Sequence, residues 1–87
     1  MDDAQLVQSA RGGDKAAFEE LIRRTQRSVR FFIAVRSPDP SDVDDLAQEV
    51  YVTAFRRLES FRPAESFAAW LRGIAINLIR NRRRRHR

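Results

Sequence analysis

Apolar residues recur at helical spacing along most of this 87-residue chain, most clearly at positions 42–61. One face of that stretch collects Val43, Leu46, Ala47, Val50, Ala54, Leu58 and Phe61. Ser41 is a good N-cap residue, and three aspartates crowd the first turn, where the helix dipole favours anions. The pattern predicts a helix over 42–61 whose apolar face packs into a core.

The opposite side of this helix mixes polar and large apolar side chains: Asp45, Gln48, Glu49, Val52, Phe55, Arg56 and Glu59. A face that only meets solvent should carry few large apolar residues, so this composition suits a docking surface. Scattered apolar residues are also common on ordinary protein surfaces. From this stretch alone, docking and plain exposure are about equally supported.

Three further helices follow from the same periodicity. A short one covers 1–11, capped by Asp2 or Asp3 and stopped by the Gly12-Gly13 pair. Asp14 can cap a longer one over 15–36, which the prolines at 38 and 40 end. The last helix begins near Ser66 or Phe67, and no stretch alternates long enough to predict a strand.

The predicted fold is therefore all-α, with three main helices and a short N-terminal helix. The expected core is Phe18, Leu21, Ile22, Val29, Phe32, Leu46, Val50, Ala54, Leu58, Leu71, Ile74 and Leu78.

Charge is unevenly distributed around a net value of +5. Positions 39–49 are acidic, no Asp or Glu follows Glu65, and the chain ends in a run of arginines. Such a division predicts two different partners rather than one. Cysteine is absent, which excludes disulfides and thiolate sites and fits a reducing cytoplasm. No apolar run is long enough to span a bilayer, and no signal-peptide pattern precedes the first helix.

Enzyme chemistry finds little support in the sequence. His86 is the only histidine and has no partner pattern, and glycine-rich phosphate loops and His-Glu metal motifs are absent. The acids at 42–49 belong to a helix start rather than to an irregular calcium-binding loop. We therefore predict no catalytic residue, no metal site and no cofactor.

The last helix carries a basic face: Ala69, Arg72, Gly73, Ile76, Arg80 and Arg83. Asn77 and Arg84 fall between that face and Trp70. Arginines neutralise phosphates, aromatic rings stack on unpaired bases and amides read base edges, so the combination favours nucleic acid. Taken singly, Trp70 suits a core position and the tail suits a solvated, membrane-surface or nonspecific patch.

Two sequence blocks stand at a characteristic spacing. The first is Asp44-Asp45-Leu46-Ala47-Gln48-Glu49-Val50-Tyr51, followed by Phe55-Arg56. The second is Phe67-Ala68-Ala69-Trp70-Leu71-Arg72-Gly73-Ile74-Ala75-Ile76-Asn77. Together they resemble region 2 of bacterial RNA polymerase sigma factors, most closely the extracytoplasmic-function group. Either block alone would be weak, but at this spacing they are specific, and the resemblance covers nearly the whole chain.

The resemblance implies two surfaces in a non-enzymatic transcription initiation factor of the bacterial cytoplasm. The helix over 42–61 would dock on the clamp helices of the largest subunit of the polymerase core. Its polar contacts would come from Asp45, Gln48 and Glu49, and its apolar contacts from Tyr51, Val52 and Phe55.

The loop 62–66 and the last helix would recognise and melt the −10 promoter element by capturing the non-template strand. A flipped base would enter a pocket for which Phe61, Phe67 and Asn77 are candidates. The loop bounded by Arg62 and Ser66 would receive that base. The strand and the upstream duplex would be held by Trp70, Arg72, Arg80 and Arg83. The resemblance also allows an anti-sigma protein that covers both surfaces, without identifying one.

We expect residues 1–87 to form one region 2 domain. Sigma factors of this group carry a second, helix-turn-helix domain, which this sequence does not contain. We therefore expect an excised or truncated domain that binds core polymerase but directs initiation weakly or not at all by itself. The alternative is a helical protein-interaction module with a nonspecific basic tail. In that case Trp70 and Asn77 would be buried, and the arginines of the last helix would not form one surface.

Overall fold

The computed structural model describes residues 1–85, with side chains through residue 84. Its four helices are α1 (Asp3–Arg11), α2 (Lys15–Arg36), α3 (Val43–Arg56) and α4 (Phe67–Arg85). Single 3-10 turns lie at Pro40–Asp42 and Leu58–Ser60. The all-α prediction of three main helices and a short first one is confirmed. His86, the lone histidine, lies outside the described residues.

The first two helices begin where their caps predict. Asp2 and Gln5 form a reciprocal capping box: Asp2 Oδ1 accepts from the Gln5 amide at 2.8 Å, and Gln5 Oε1 accepts from the Asp2 amide at 2.9 Å. Asp14 Oδ1 accepts from the amides of Ala16 and Ala17 at the start of α2. Between the two helices, Gly13 takes a positive φ of 102°, which allows the tight turn.

The third helix, predicted over 42–61, begins one residue later and ends more than a full turn earlier than predicted. Asp39, not Ser41, caps this region, because its Oδ1 accepts from the Ser41 amide at 2.9 Å and Pro40 opens a separate 3-10 turn. The α-helix ends at Arg56. Beyond it, the Leu58 carbonyl accepts from the side chain of Arg11, which holds the chain in a turn instead of another helical turn.

The core forms where α2, α3 and α4 pack against one another, with α1 against α2. Most of the predicted core is buried, whereas Ile22, Phe32 and Leu78 are only partly buried at its edge. Ile79 is also buried, although the face analysis did not include it. Further buried positions outside the predicted core are Leu6, Val7, Ala10, Ala17, Ile33, Ala47, Phe61, Phe67 and Ala75.

Candidate functional site

A groove runs between α2 and α3 and gathers much of the acidic surface. It encloses about 790 Å³ and is lined by Ile22, Gln26, Arg30, Asp44, Asp45, Ala47, Gln48, Tyr51 and Val52. We call it the α2–α3 groove. Asp44 is ion-paired with Arg30 across it, whereas Asp45 and Gln48 are exposed. The groove therefore combines an acidic rim with an apolar wall.

The two apolar residues on the acidic side of α3 are open to solvent. Val52 is 49% exposed and Phe55 is 56% exposed. The Phe55 ring packs edge-to-face on Phe18, with 5.3 Å between ring centroids, so it is held in place while one side stays free. Together with Ile22 and Tyr51 these residues line an apolar depression of about 310 Å³ next to the groove.

Tyr51 joins the groove to the core through its hydroxyl. Its oxygen lies 2.7 Å from Thr25 Oγ1, and Thr25 donates its own proton to the Leu21 carbonyl at 2.8 Å. Either hydroxyl can be the donor in the Tyr51–Thr25 bond, and Thr25 can turn its proton from the Leu21 carbonyl to the Tyr51 oxygen when the phenol ionises. Burial raises the pKa of the Tyr51 phenol above its ordinary value of 10.0, and the hydrogen bond with Thr25 offsets part of that rise.

Glu49, predicted as a docking residue, is already engaged within the chain. Arg82 on α4 places Nη2 3.0 Å from Glu49 Oε1 and Nη1 3.2 Å from Asp42 Oδ1. Sequence reasoning missed Arg82 as a partner, because nothing in an arginine run distinguishes one member from the next. The acidic helix and the basic helix are thus tied together by one guanidinium.

A second open pocket lies along α4 and encloses about 560 Å³. Its lining is Arg57, Ser60, Glu65, Ser66, Ala69, Trp70, Gly73, Ile74 and Asn77. We call it the α4 pocket. It brings together three residues predicted for DNA binding, Ser66, Trp70 and Asn77, and adds Arg57 and Ser60 from the connection before α4. Arg62, also predicted, is exposed but does not line it.

An aromatic cluster packs beneath the pocket. The rings of Phe61 and Phe67 lie 5.4 Å apart and those of Phe61 and Trp70 5.3 Å apart. Phe61 is 3% exposed and Phe67 1% exposed, whereas Trp70 is half-buried and reaches the surface. Phe61 and Phe67, predicted as candidates for the base pocket, therefore lie beneath it, and neither ring is part of its open lining. They support Trp70 instead.

The arginines of α4 divide into engaged and unengaged side chains. Arg83, predicted for DNA, donates from Nη2 to the Arg36 carbonyl at 2.7 Å and so satisfies the C-terminal end of α2. Arg72 and Arg80 make no hydrogen bond or ion pair with any residue that the structure describes. At helical spacing Arg80 lies beside the Gly73 and Asn77 face, and Arg84 lies on it.

These exposures bear on the alternative of a protein-interaction module with a nonspecific tail, which required Trp70 and Asn77 to be buried. Asn77 is exposed and Trp70 lines an open pocket.

Among residues 1–85, no helix is both long and apolar enough to cross a membrane. The same part of the chain shows no group of His, Asp or Glu side chains arranged to hold a metal ion.

Comparison with known proteins places this chain in a family. The family model for sigma-70 region 2 matches residues 21–87. The RNA polymerase sigma-H factor of Pseudomonas aeruginosa is 38% identical over 79 residues, which cover 91% of this chain and 41% of that protein. The ECF RNA polymerase sigma-E factor of Escherichia coli (strain K12) is 37% identical over 81 residues, covering 93% of this chain and 42% of that protein. The chain thus spans about two fifths of the length of these relatives.

Two solved structures share the fold. One is an engineered region 2 of sigmaE in complex with GTAAAA, solved by NMR: its TM-score is 0.83 at 36% identity, covering 93% of this chain and 84% of that one. The other is CnrH in complex with the cytosolic domain of CnrY: its TM-score is 0.81 at 32% identity, covering 91% of this chain and 51% of that one. The chain therefore belongs to the sigma-70 region 2 family, as a region 2 domain of the extracytoplasmic-function group.

Proposed function

We propose that this domain docks on the clamp helices of the RNA polymerase core through α3, and that α4 recognises and melts the −10 promoter element by capturing the non-template strand. It would act in the bacterial cytoplasm, where polymerase and promoter DNA meet. Residues 1–87 would form one region 2 unit, and a separate helix-turn-helix domain would read the upstream promoter element.

The observation that carries the DNA half of the proposal is the α4 pocket. Trp70 lies over a buried aromatic floor and Asn77 stands exposed beside it, so a stacking surface and a base-reading amide share one concave site. Arg80 and Arg84 continue the same side of the helix and are suited to phosphates. The similarity to an engineered sigmaE region 2 in complex with GTAAAA supports this assignment.

The polymerase half rests on the α2–α3 groove and its neighbouring depression. Asp45 and Gln48 offer polar contacts to a basic partner, and Val52 and Phe55 offer exposed apolar area beside them. Aromatic residues at the centre of such surfaces often dominate binding. We assign Phe55 as the main apolar contact.

The DNA half is tested by titrating the domain with the single strand GTAAAA and with strands that differ from it at one base. We expect unequal affinities across the strands, and we expect Asn77→Ala to reduce the differences. Gln48→Ala is the matched control, since it removes an exposed amide from the other surface. If every strand bound with equal affinity and that affinity varied only with salt concentration, the surface would be a nonspecific charge patch.

The polymerase half is tested by measuring binding to purified core enzyme. We expect Phe55→Ala to weaken binding by about tenfold or more, as truncation of an aromatic anchor commonly does. Asn77→Ala then serves as the control that keeps core binding. If Phe55→Ala and Asp45→Asn together leave core affinity unchanged, the docking assignment is wrong.

We further propose that a protein regulator of the anti-sigma type can occupy these surfaces. CnrH, which shares this fold, is solved in complex with the cytosolic domain of CnrY. A regulator that covers the α2–α3 groove would compete with core polymerase. Competition between a candidate regulator and core enzyme for the wild-type domain, together with weaker direct binding of the regulator to Phe55→Ala, is the measurement that checks it.

A further inference from the structure

Arg11, the last residue of α1, binds a turn that lies almost fifty residues away in sequence. Its Nε and Nη2 donate to the Leu58 carbonyl at 3.1 and 2.9 Å. Nη2 also donates to the carbonyls of Glu59, at 3.5 Å, and Phe61. Nη1 is held by Gln8 Oε1 at 3.2 Å. One planar guanidinium therefore fixes three carbonyls of the connection between α3 and α4.

That connection builds one wall of the α4 pocket. Ser60 lines the pocket directly, and Phe61 lies beneath Trp70 with 5.3 Å between ring centroids. The Leu58 carbonyl also accepts from the Phe61 amide at 3.2 Å, so it is the Phe61 carbonyl of this partly buried turn that depends on a donor from outside, because an unpartnered carbonyl there is costly. Within the described residues, Arg11 is the only side chain that donates to the Phe61 carbonyl.

We propose that Arg11 is a positioning residue for base recognition in the α4 pocket. It acts through the Leu58–Phe61 turn. By holding that turn it fixes the positions of Ser60 and Phe61, and Phe61 in turn positions the Trp70 ring that packs on it. The inference rests on the proposed DNA-binding function of the pocket. Arg11 does not line the pocket, so it affects the shape of the pocket rather than contacting the base itself.

Two simpler roles for Arg11 predict different results when it is substituted. If only its charge mattered, by attracting DNA, lysine would replace it fully. If only its contribution to folding mattered, any core substitution of equal cost would have the same effect. Lysine keeps the charge but lacks the planar fork that reaches several carbonyls at once, so Arg11→Lys separates geometry from charge. Val29→Ala, in the core of α2, supplies a destabilised control with the turn intact.

The first measurement uses fluorescence of Trp70, the only tryptophan in the chain. We expect Arg11→Lys and Arg11→Met to shift its emission and to raise its quenching by a soluble quencher in the folded protein. Val29→Ala should leave both unchanged. An unchanged Trp70 signal in both Arg11 variants would overturn the inference, whatever the DNA result.

The second measurement repeats the titrations with GTAAAA and its single-base variants. In Arg11→Lys, discrimination between strands should fall by about fivefold to tenfold, as expected for lost charge-assisted hydrogen bonds, with an unchanged salt slope. Val29→Ala should discriminate like the wild type. Wild-type discrimination in Arg11→Lys, or equal loss in Val29→Ala, contradicts the inference. If the wild-type domain prefers no strand, the proposed function fails, and the Trp70 signal still decides whether Arg11 shapes the pocket.

Discussion

Arg82 on α4 lies 3.0 Å from Glu49 on α3, measured from Nη2 to Oε1. The side chain of Arg82 is only 19% exposed, and its other terminal nitrogen contacts Asp42. The helix proposed for DNA and the helix proposed for polymerase are therefore joined by a shared ion pair. A basic group of the polymerase that binds Glu49 would compete with Arg82 for the Glu49 carboxylate. Arg82 would still be held by its contact with Asp42.

Removing this guanidinium should destabilise the fold. Arg82→Gln leaves Asp42 and Glu49 without their shared cation, and we expect the free energy of unfolding to fall by about 1 kcal/mol, the upper end for partly exposed pairs. Denaturant unfolding measures it. Arg84→Gln is the matched control, because exposed Arg84 has no ion pair with any described residue and its loss should change stability little. Equal effects of the two substitutions would show that the ion pair contributes nothing.

The sequence predicted the helices well where the signals are local. Asp2 and Asp14 cap helices as their positions indicate, and the apolar periodicity identifies Leu21 and Val50 as core. The end of α3 could not be predicted in this way. Where α3 ends depends on Arg11, whose side chain contacts the Leu58–Phe61 turn. These contacts join distant parts of the chain and leave no pattern in the local sequence.

The candidate site shows the same limit. Apolar periodicity placed Phe61 on the core face, and the structure agrees, whereas the family resemblance made it a candidate for the base pocket. The arginines of α4 are alike in sequence, yet Arg82 and Arg83 pair with other helices while Arg80 and Arg84 do not. Which arginine is free depends on what stands opposite it in the tertiary packing.

The turn between α1 and α2 offers a matched pair of glycines. Gly13 has a φ of 102°, where a Cβ is strained, so Gly13→Ala should lower the free energy of unfolding by about 1 kcal/mol. Gly12 has a φ of −79°, and a Cβ there would lie 3.4 Å from its nearest heavy atom, the Ser9 carbonyl oxygen. Gly12→Ala should therefore change stability little. Denaturant unfolding of both variants checks the difference, and an equal loss would contradict the conformational explanation.

Tyr51 should make stability depend on alkaline pH. Burial raises its pKa in the folded state above 10.0, so the native state keeps its proton when the unfolded chain has lost it. The unfolded state then binds fewer protons, and the stabilising contribution, complete below pH 10, is lost as pH rises through the folded pKa. As the chain has one tyrosine, tyrosinate absorbance reports this pKa directly.

Tyr51→Phe is the control for that titration. It removes the ionisable group and should flatten the decline of stability above pH 10 that belongs to Tyr51. Thr25→Val removes the hydrogen-bond partner that offsets the rise, so it should move the Tyr51 pKa further upward. A wild-type tyrosinate midpoint at or below the ordinary value would refute the buried, hydrogen-bonded placement.

A substitution at Gly73 can distinguish effects on stability from effects on strand binding, because Gly73 lies within α4 and also lines the α4 pocket. A Cβ built there meets no heavy atom within 4 Å, so Gly73→Ala should fit the free protein and raise the free energy of unfolding by about 0.5–1 kcal/mol. The same methyl group would project into the space proposed for DNA, so affinity for GTAAAA should fall. Ala69→Gly is the reciprocal control at another pocket residue, and it should lower stability without narrowing the pocket. Because the two effects of Gly73→Ala have opposite signs, general damage to the fold cannot mimic them. A stabilised Gly73→Ala domain that binds the strand as tightly as the wild type would show that DNA does not approach α4 at this turn.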